Sequence, residues 1–195
     1  MSLDALKTRI AACTLCAARF AATETAHAPR PVLRAQGTAR ILVAGQAPGM
    51  RVHLSGTPFT DPSGDRLRDW MGVGAEEFYD MTRIAIVPMA FCFPGYRKGS
   101  DLPPPPICAR TWRAEVMAQL PRVRLVLAVG GAAQKWHLPG AGAVTATVRD
   151  WRAQGATIPL PHPSWRNTAW LKRNPWFETE LLPDLRARVR EVLDA

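Results

Sequence analysis

No apolar run in this chain approaches the roughly 18–20 consecutive residues that a membrane span needs, so a helical membrane protein is not expected. The first residues, Met1-Ser2-Leu3-Asp4-Ala5-Leu6, carry no basic stretch followed by an apolar core. No secretory leader is therefore expected, and a cytoplasmic location is the default expectation. Acidic residues are scarce: 16 Asp and Glu stand against 25 Lys and Arg, a formal charge of +9. Such an imbalance favours a polyanionic partner, nucleic acid being the commonest, with a basic surface kept for solubility as the alternative. Cysteines number four, and in a reducing compartment structural disulfides are not expected. There is no internal repeat and no shift of composition to mark a boundary. The 195 residues, 47% hydrophobic, suffice for one domain over 1–195 with a sizeable core, expected to be monomeric.

What the chain does contain is a series of short buried runs separated by helical stretches. Arg40-Ile41-Leu42-Val43-Ala44 reads as a strand that stops at Gly45-Gln46-Ala47-Pro48-Gly49. Residues 82–89, Val123–Val129 and Ala156–Leu160 read as three more. Between them, helices are expected over 3–20, from Pro62 through Met71, over 108–120, from Gly131 to near His137, and along 175–194. Residues 21–38 look irregular, 141–153 are ambiguous, and 92–108 read as a Gly/Pro-rich loop without helix. The pattern predicts an α/β fold, a three-layer α/β/α sandwich with a central, mainly parallel four-stranded sheet.

In open α/β sheets ligands bind beyond the carboxyl ends of the strands. Two punctuated loops fall there: Gly45–Gly49, and Pro161-His162-Pro163-Ser164 after the last apolar run. They are expected to face each other across one pocket. The first lacks the Lys-Ser/Thr of a phosphate-binding P-loop and the third glycine of a dinucleotide fingerprint, which disfavours a nucleotide-binding enzyme. Cys13 and Cys16 form a C-x-x-C pair, and Cys92 and Cys108 bracket the 92–108 loop. Together the four make an all-thiolate set for iron–sulfur or zinc, or else stand as four independent buried thiols.

Gly45-Gln46-Ala47-Pro48-Gly49, then Gly56-Thr57-Pro58-Phe59, then Ser63-Gly64 with Leu67, resembles the first motif of the uracil-DNA glycosylase superfamily. His162-Pro163-Ser164 resembles its second motif, and the placement of Cys13, Cys16, Cys92 and Cys108 is similar to the iron–sulfur family 4 branch. The resemblance spans about residues 13 to 175. It implies a DNA repair enzyme that flips uracil out of DNA and hydrolyses the N-glycosidic bond, leaving an abasic site. It also implies a structural 4Fe-4S cluster on the four cysteines, with zinc as the alternative. Phe59 would stack on the flipped base, with Gly45, Ala47, Met89 and Ser164 beside it, and His162 would donate to the base oxygen that gains charge. Trp165 would fill the vacated base position. Arg166, Arg97 and Lys98 would contact phosphates.

Two departures from the family stand out. Family 4 carries a glutamate where this chain has Gln46, and the best-known branch follows its glutamine with an aspartate where this chain has Ala47. Glutamine is no general base, so Gln46 and backbone position water, or His53 or Asp61 activates it. The family's base-reading asparagine, four residues before the third cysteine, is here Pro88. Recognition then rests on stacking and backbone groups, and other deaminated bases are expected beside uracil. No lysine sits in either motif, so a monofunctional hydrolase is expected. The rival of the same fold is a catalytically weak protein that binds damaged DNA.

Overall fold

The computed structural model describes residues 2–195. Helices α1 (Leu3–Ala11) and α2 (Ala17–Ala21) lead to strand β1 (Ile41–Ala44). Helices α3 (Met50–Ser55), α4 (Pro62–Met71) and α5 (Ala75–Tyr79) follow, then β2 (Ile84–Ile86). A small hairpin, β3 (Tyr96–Arg97) and β4 (Ser100–Asp101), precedes α6 (Pro106–Cys108), a π-helical segment (Ala109–Arg113) and α7 (Ala114–Ala118). The chain ends with β5 (Leu125–Val129), α8 (Gly131–His137), α9 (Val144–Arg149), β6 (Thr157–Leu160), α10 (Thr168–Arg173) and α11 (Leu182–Asp194).

Strands β2, β1, β5 and β6 lie in that order in one sheet, all parallel. Alternation along each strand divides the core. Ile41, Val43, Ile84, Ile86, Leu125 and Leu127 point to one face, where Leu67 and Trp70 of α4 and Leu185 and Val189 of α11 cover them. Leu42, Ala44, Ala85 and Ala128 point to the other, against Leu6 and Ile10 of α1 and Val116 of α7. The expected three-layer arrangement is thus present. No helix among the described residues is long and apolar enough to cross a membrane.

Two expectations are corrected, and one open stretch is settled. The helix read over 3–20 is two helices, because the C-x-x-C segment forms a turn between Ala11 and Ala17. The 92–108 stretch is not a plain loop. Lys98 and Gly99, both left-handed (φ 51° and 69°), make the tight turn that closes the β3–β4 hairpin. Helix also begins within it, at Pro106, where proline's missing N–H is harmless in the first turn. The ambiguous 141–153 stretch holds α9 and a short 3-10 turn, Trp151–Gln154.

Candidate active site

At the carboxyl ends of the sheet strands lies a cavity of about 730 Å³, and both punctuated loops line it. That volume is within the usual range for small-ligand sites, about 300–1,000 Å³. The first loop follows β1 and is laced to the segment after β2: the Met89 N–H donates to the Gly45 carbonyl and the Ala90 N–H to the Gln46 carbonyl, each at 2.9 Å. Gln46 lines the cavity and lays its side chain over Gly130, at the end of β5. Gly130 has φ +84°, and a Cβ there would stand 3.0 Å from the Gln46 amide carbon.

Phe59 is held in an unusual way. Its backbone is left-handed (φ 56°), a conformation that a bulky residue adopts only under constraint. Its carbonyl accepts from the Tyr79 hydroxyl at 2.8 Å and from the Arg68 guanidinium at 3.2 Å. Helix α4 presses against the same carbonyl at Gly64, where a Cβ would fall 1.8 Å from the oxygen. The ring meets Phe78 edge-on at 6.0 Å, and its rim lies 3.5 Å from where a Cβ on Gly45 would be. The glycines at 45 and 64 are therefore the room in which this ring is set.

On the opposite wall, β6 delivers His162. The Ser164 N–H donates to its Nδ1 at 3.2 Å, which leaves the ring proton of the neutral form on Nε2. Burial lowers its pKa, opposed by the carboxylates of Asp61 and Asp101. The imidazole is thus neutral near pH 7 and offers one N–H. The loop is fixed from two sides: the Asn167 amide donates to the His162 carbonyl at 2.7 Å, and Arg66 of α4 reaches the Pro163 and Ser164 carbonyls at 3.3 and 3.1 Å. Arg66 therefore ties the second loop to the helix that follows the first. Asp61 lines the cavity just before α4, and one of its carboxylate oxygens accepts from the Ser63 hydroxyl. Trp165, 74% exposed, and Arg166 stand on the same rim.

The family model of the Uracil DNA glycosylase superfamily matches residues 33–186. This chain belongs to that superfamily. Membership supports a glycosylase-type hydrolase that acts on DNA. Both cavity loops, Phe59, and Cys92 and Cys108 lie inside the matched residues, whereas Cys13 and Cys16 precede them.

Measured against this superfamily site, the candidates divide. Gly45, Gln46, Ala47, Phe59, Asp61, His162, Ser164, Trp165 and Arg166 all line the cavity. His53 does not, because the short α3 turns its ring the other way. The ring packs edge-on against His27 at 5.0 Å and beside Phe93 at 5.9 Å, its buried Nδ1 has no partner, and burial lowers its pKa. Met89 is buried in the second core, and its neighbour Pro88 faces the cavity instead. Arg97 and Lys98 are exposed on the hairpin, outside the lining, with the Lys98 N–H bonded to the Glu24 carboxylate at 2.8 Å. Sequence reading missed Arg66, the bracing role of Asn167, and Asp101. The first two act on backbone carbonyls and leave no motif. Asp101 was hidden in a stretch read as a Gly/Pro-rich loop, although the hairpin brings it to the cavity wall.

The four cysteines are free thiols and line a second, apolar cavity with Ile10, Phe20, Phe91 and Trp112. Among the described residues no group of three or more His, Cys, Asp or Glu side chains is placed to hold a metal ion. The thiols are instead ranged around the cavity wall. Burial pushes the Cys92 thiol up to about 12 and Cys108 to about 11, and burial also raises Cys16. Backbone N–H groups oppose this: Phe91 donates to the Cys108 sulfur at 3.4 Å, and Arg30 to Cys92.

Proposed function

We propose that this protein is a monofunctional uracil-DNA glycosylase, acting as a monomer on uracil flipped out of DNA. The observation that carries this reading is the meeting of a braced aromatic ring, Phe59, and a neutral imidazole, His162, across one cavity with Trp165 at its rim. The base stacks on Phe59, for which about 1–3 kcal/mol is typical. The bond from the sugar C1′ to the base nitrogen breaks with its electron pair going to the base. Charge builds on the base carbonyl oxygen, and the His162 Nε2–H donates to it, a fixed dipole in a water-poor site. Water adds through its oxygen to C1′ and releases a proton. Gln46 holds that water through its amide, and Asp61, with one carboxylate oxygen on Ser63, takes the proton on the other. Trp165 occupies the gap in the duplex, and Arg166 pairs with phosphate.

The base-side wall supports a broader substrate range. Pro88 has no side-chain donor, its carbonyl is engaged by Arg113, and the N–H groups of Met89 and Ala90 are spent on the first loop. Discrimination by hydrogen bonds at this wall is correspondingly weak, and hypoxanthine and xanthine are expected as poorer substrates. Gln46, in place of a carboxylate, favours the second reading of a weakly catalytic protein that binds damaged DNA.

The thiol cavity suits a 4Fe-4S cluster held by Cys13, Cys16, Cys92 and Cys108. Its apolar wall, four thiols and N–H···S bonds match that donor set, with zinc as the alternative. Bound there, the cluster would fasten α1, α2 and the 92–108 segment together and take no part in the hydrolysis. Chromatography of free bases after incubation with uracil-, hypoxanthine- or xanthine-containing duplexes tests the function. Free uracil in excess of the other two is the expected result. Retained binding of the uracil duplex without any released base would leave the damage-binding reading. Brown colour with broad visible absorption in the purified protein checks the cluster.

A further inference from the structure

Arg113 is the most conspicuous charge in the molecule that the proposed chemistry does not use. It is 1% exposed and sits at the end of the π-helical segment, a local widening often found at functional sites. Among the described residues no carboxylate pairs with it. Its guanidinium donates to the carbonyls of Val87 and Pro88, each at 3.1 Å, and to His137 Nε2 at 2.6 Å, while its Nε has no partner. A buried cation without an anion is strongly unfavourable. Cys108 directly precedes the π-helical segment that Arg113 ends, and as a metal-bound thiolate it would supply negative charge toward the guanidinium. Arg113 also grips the backbone of Pro88, which lines the large cavity where the base would lie.

Resting on the cluster and base-excision readings above, we propose that Arg113 is a positioning residue with two tasks. Its charge balances the thiolates of the cluster at Cys108, and its two-pronged donation to Val87 and Pro88 sets the base-side wall. One residue would then link the apolar thiol cavity to the substrate cavity. The two tasks make different demands. Balancing charge needs only a cation. Gripping two adjacent carbonyls needs the planar fork of arginine, which lysine lacks.

The test uses Arg113→Met and Arg113→Lys in the full chain, with iron content, cluster reduction potential, and KM and kcat on uracil-containing duplex. A nearby cation favours the more negative, reduced cluster. Arg113→Met is therefore expected to shift the potential negative, and Arg113→Lys to restore it. Both are expected to raise KM about tenfold, the loss typical for a hydrogen bond to a charged group, with a smaller change in kcat. Wild-type potential in a folded, iron-replete Met variant would overturn the charge task, and wild-type KM in both variants would overturn the wall task. Should Arg113→Met not fold, a Lys variant with normal potential and raised KM supports the proposal, and one with normal KM overturns it. A wild-type protein that holds no iron contradicts the cluster reading and with it the charge task, and the KM comparison still judges the wall task.

Discussion

The two cavities differ in nearly every respect, yet they share a wall. One is wide and mixed in lining, with Gln46, Asp61, Asp101 and His162 among its polar groups; the other is apolar and lined by thiols. Between them runs a single segment after β2. Pro88 and Pro94 face the wide cavity, whereas Ala90, Phe91 and Cys92 face the thiols. The two cavities are therefore not separate modules. The segment that a cluster at Cys92 would fasten is the segment that would bound the base. The difference between the cavities is one of chemistry, and the connection between them is one of backbone.

Substitutions on the two sides of the shared segment have different expected consequences. The largest effect is expected for Gly64→Ala, whose Cβ would meet the Phe59 carbonyl oxygen at 1.8 Å. Backbone oxygen cannot move aside as a side chain would, so a loss of about 3 kcal/mol or more is expected in chemical denaturation. His162→Ala comes next. It removes the donor on the polar side alone, so kcat should fall about 10²–10³-fold while iron content stays at the wild-type level. Cys92→Ser strikes from the other side. Visible absorption should bleach and Tm should drop, with a loss of kcat smaller than that of His162→Ala.

Asp61 and Asp101 both act on His162 electrostatically, but only Asp61 is braced by a neighbouring hydroxyl. Asp61→Asn should therefore lower kcat about tenfold to a hundredfold, the lower part of the range for general bases. Asp101→Asn should lower it less. An equal loss in both would show that the two carboxylates act only through their field on His162.

The smallest effect concerns acid stability. His137 is held neutral by burial and by Arg113, with its pKa lowered from 6.5 to about 4. The fold thus favours the unprotonated ring. This contribution is fully present above pH 6.5 and is lost as pH falls from there through about 4. Urea midpoints should decline across that window in the wild type. His137→Gln, which keeps an acceptor for Arg113 but does not titrate there, should flatten the decline.

Much of this was legible in the chain. Buried strands show themselves as continuous apolar runs ended by Gly and Pro, and the parallel sheet follows from their spacing by helices. Gly45–Gly49 and His162 stand out because loops at strand ends carry recognisable punctuation, whereas Phe59 follows from the resemblance of Gly56-Thr57-Pro58-Phe59 to the superfamily's first motif. His53 was misplaced for a reason of geometry: it lies in the first-motif region, but adjacent residues of α3 face different ways, and Val52 takes the lining place. Asp101 and Arg113 were invisible for a different reason. Each takes its place only in the folded chain, the first where the hairpin brings it to the cavity wall and the second where it reaches the Val87 and Pro88 carbonyls and His137. Neither has a local pattern to announce it.

The most direct measurement is single-turnover cleavage of a duplex carrying one uracil, with enzyme in excess, followed by alkali and a denaturing gel. The account predicts a single cut at the uracil position that forms with wild-type protein and is slowed about 10²–10³-fold by His162→Ala. An intact strand after prolonged incubation with excess wild-type protein, under conditions where it binds the duplex, would contradict it.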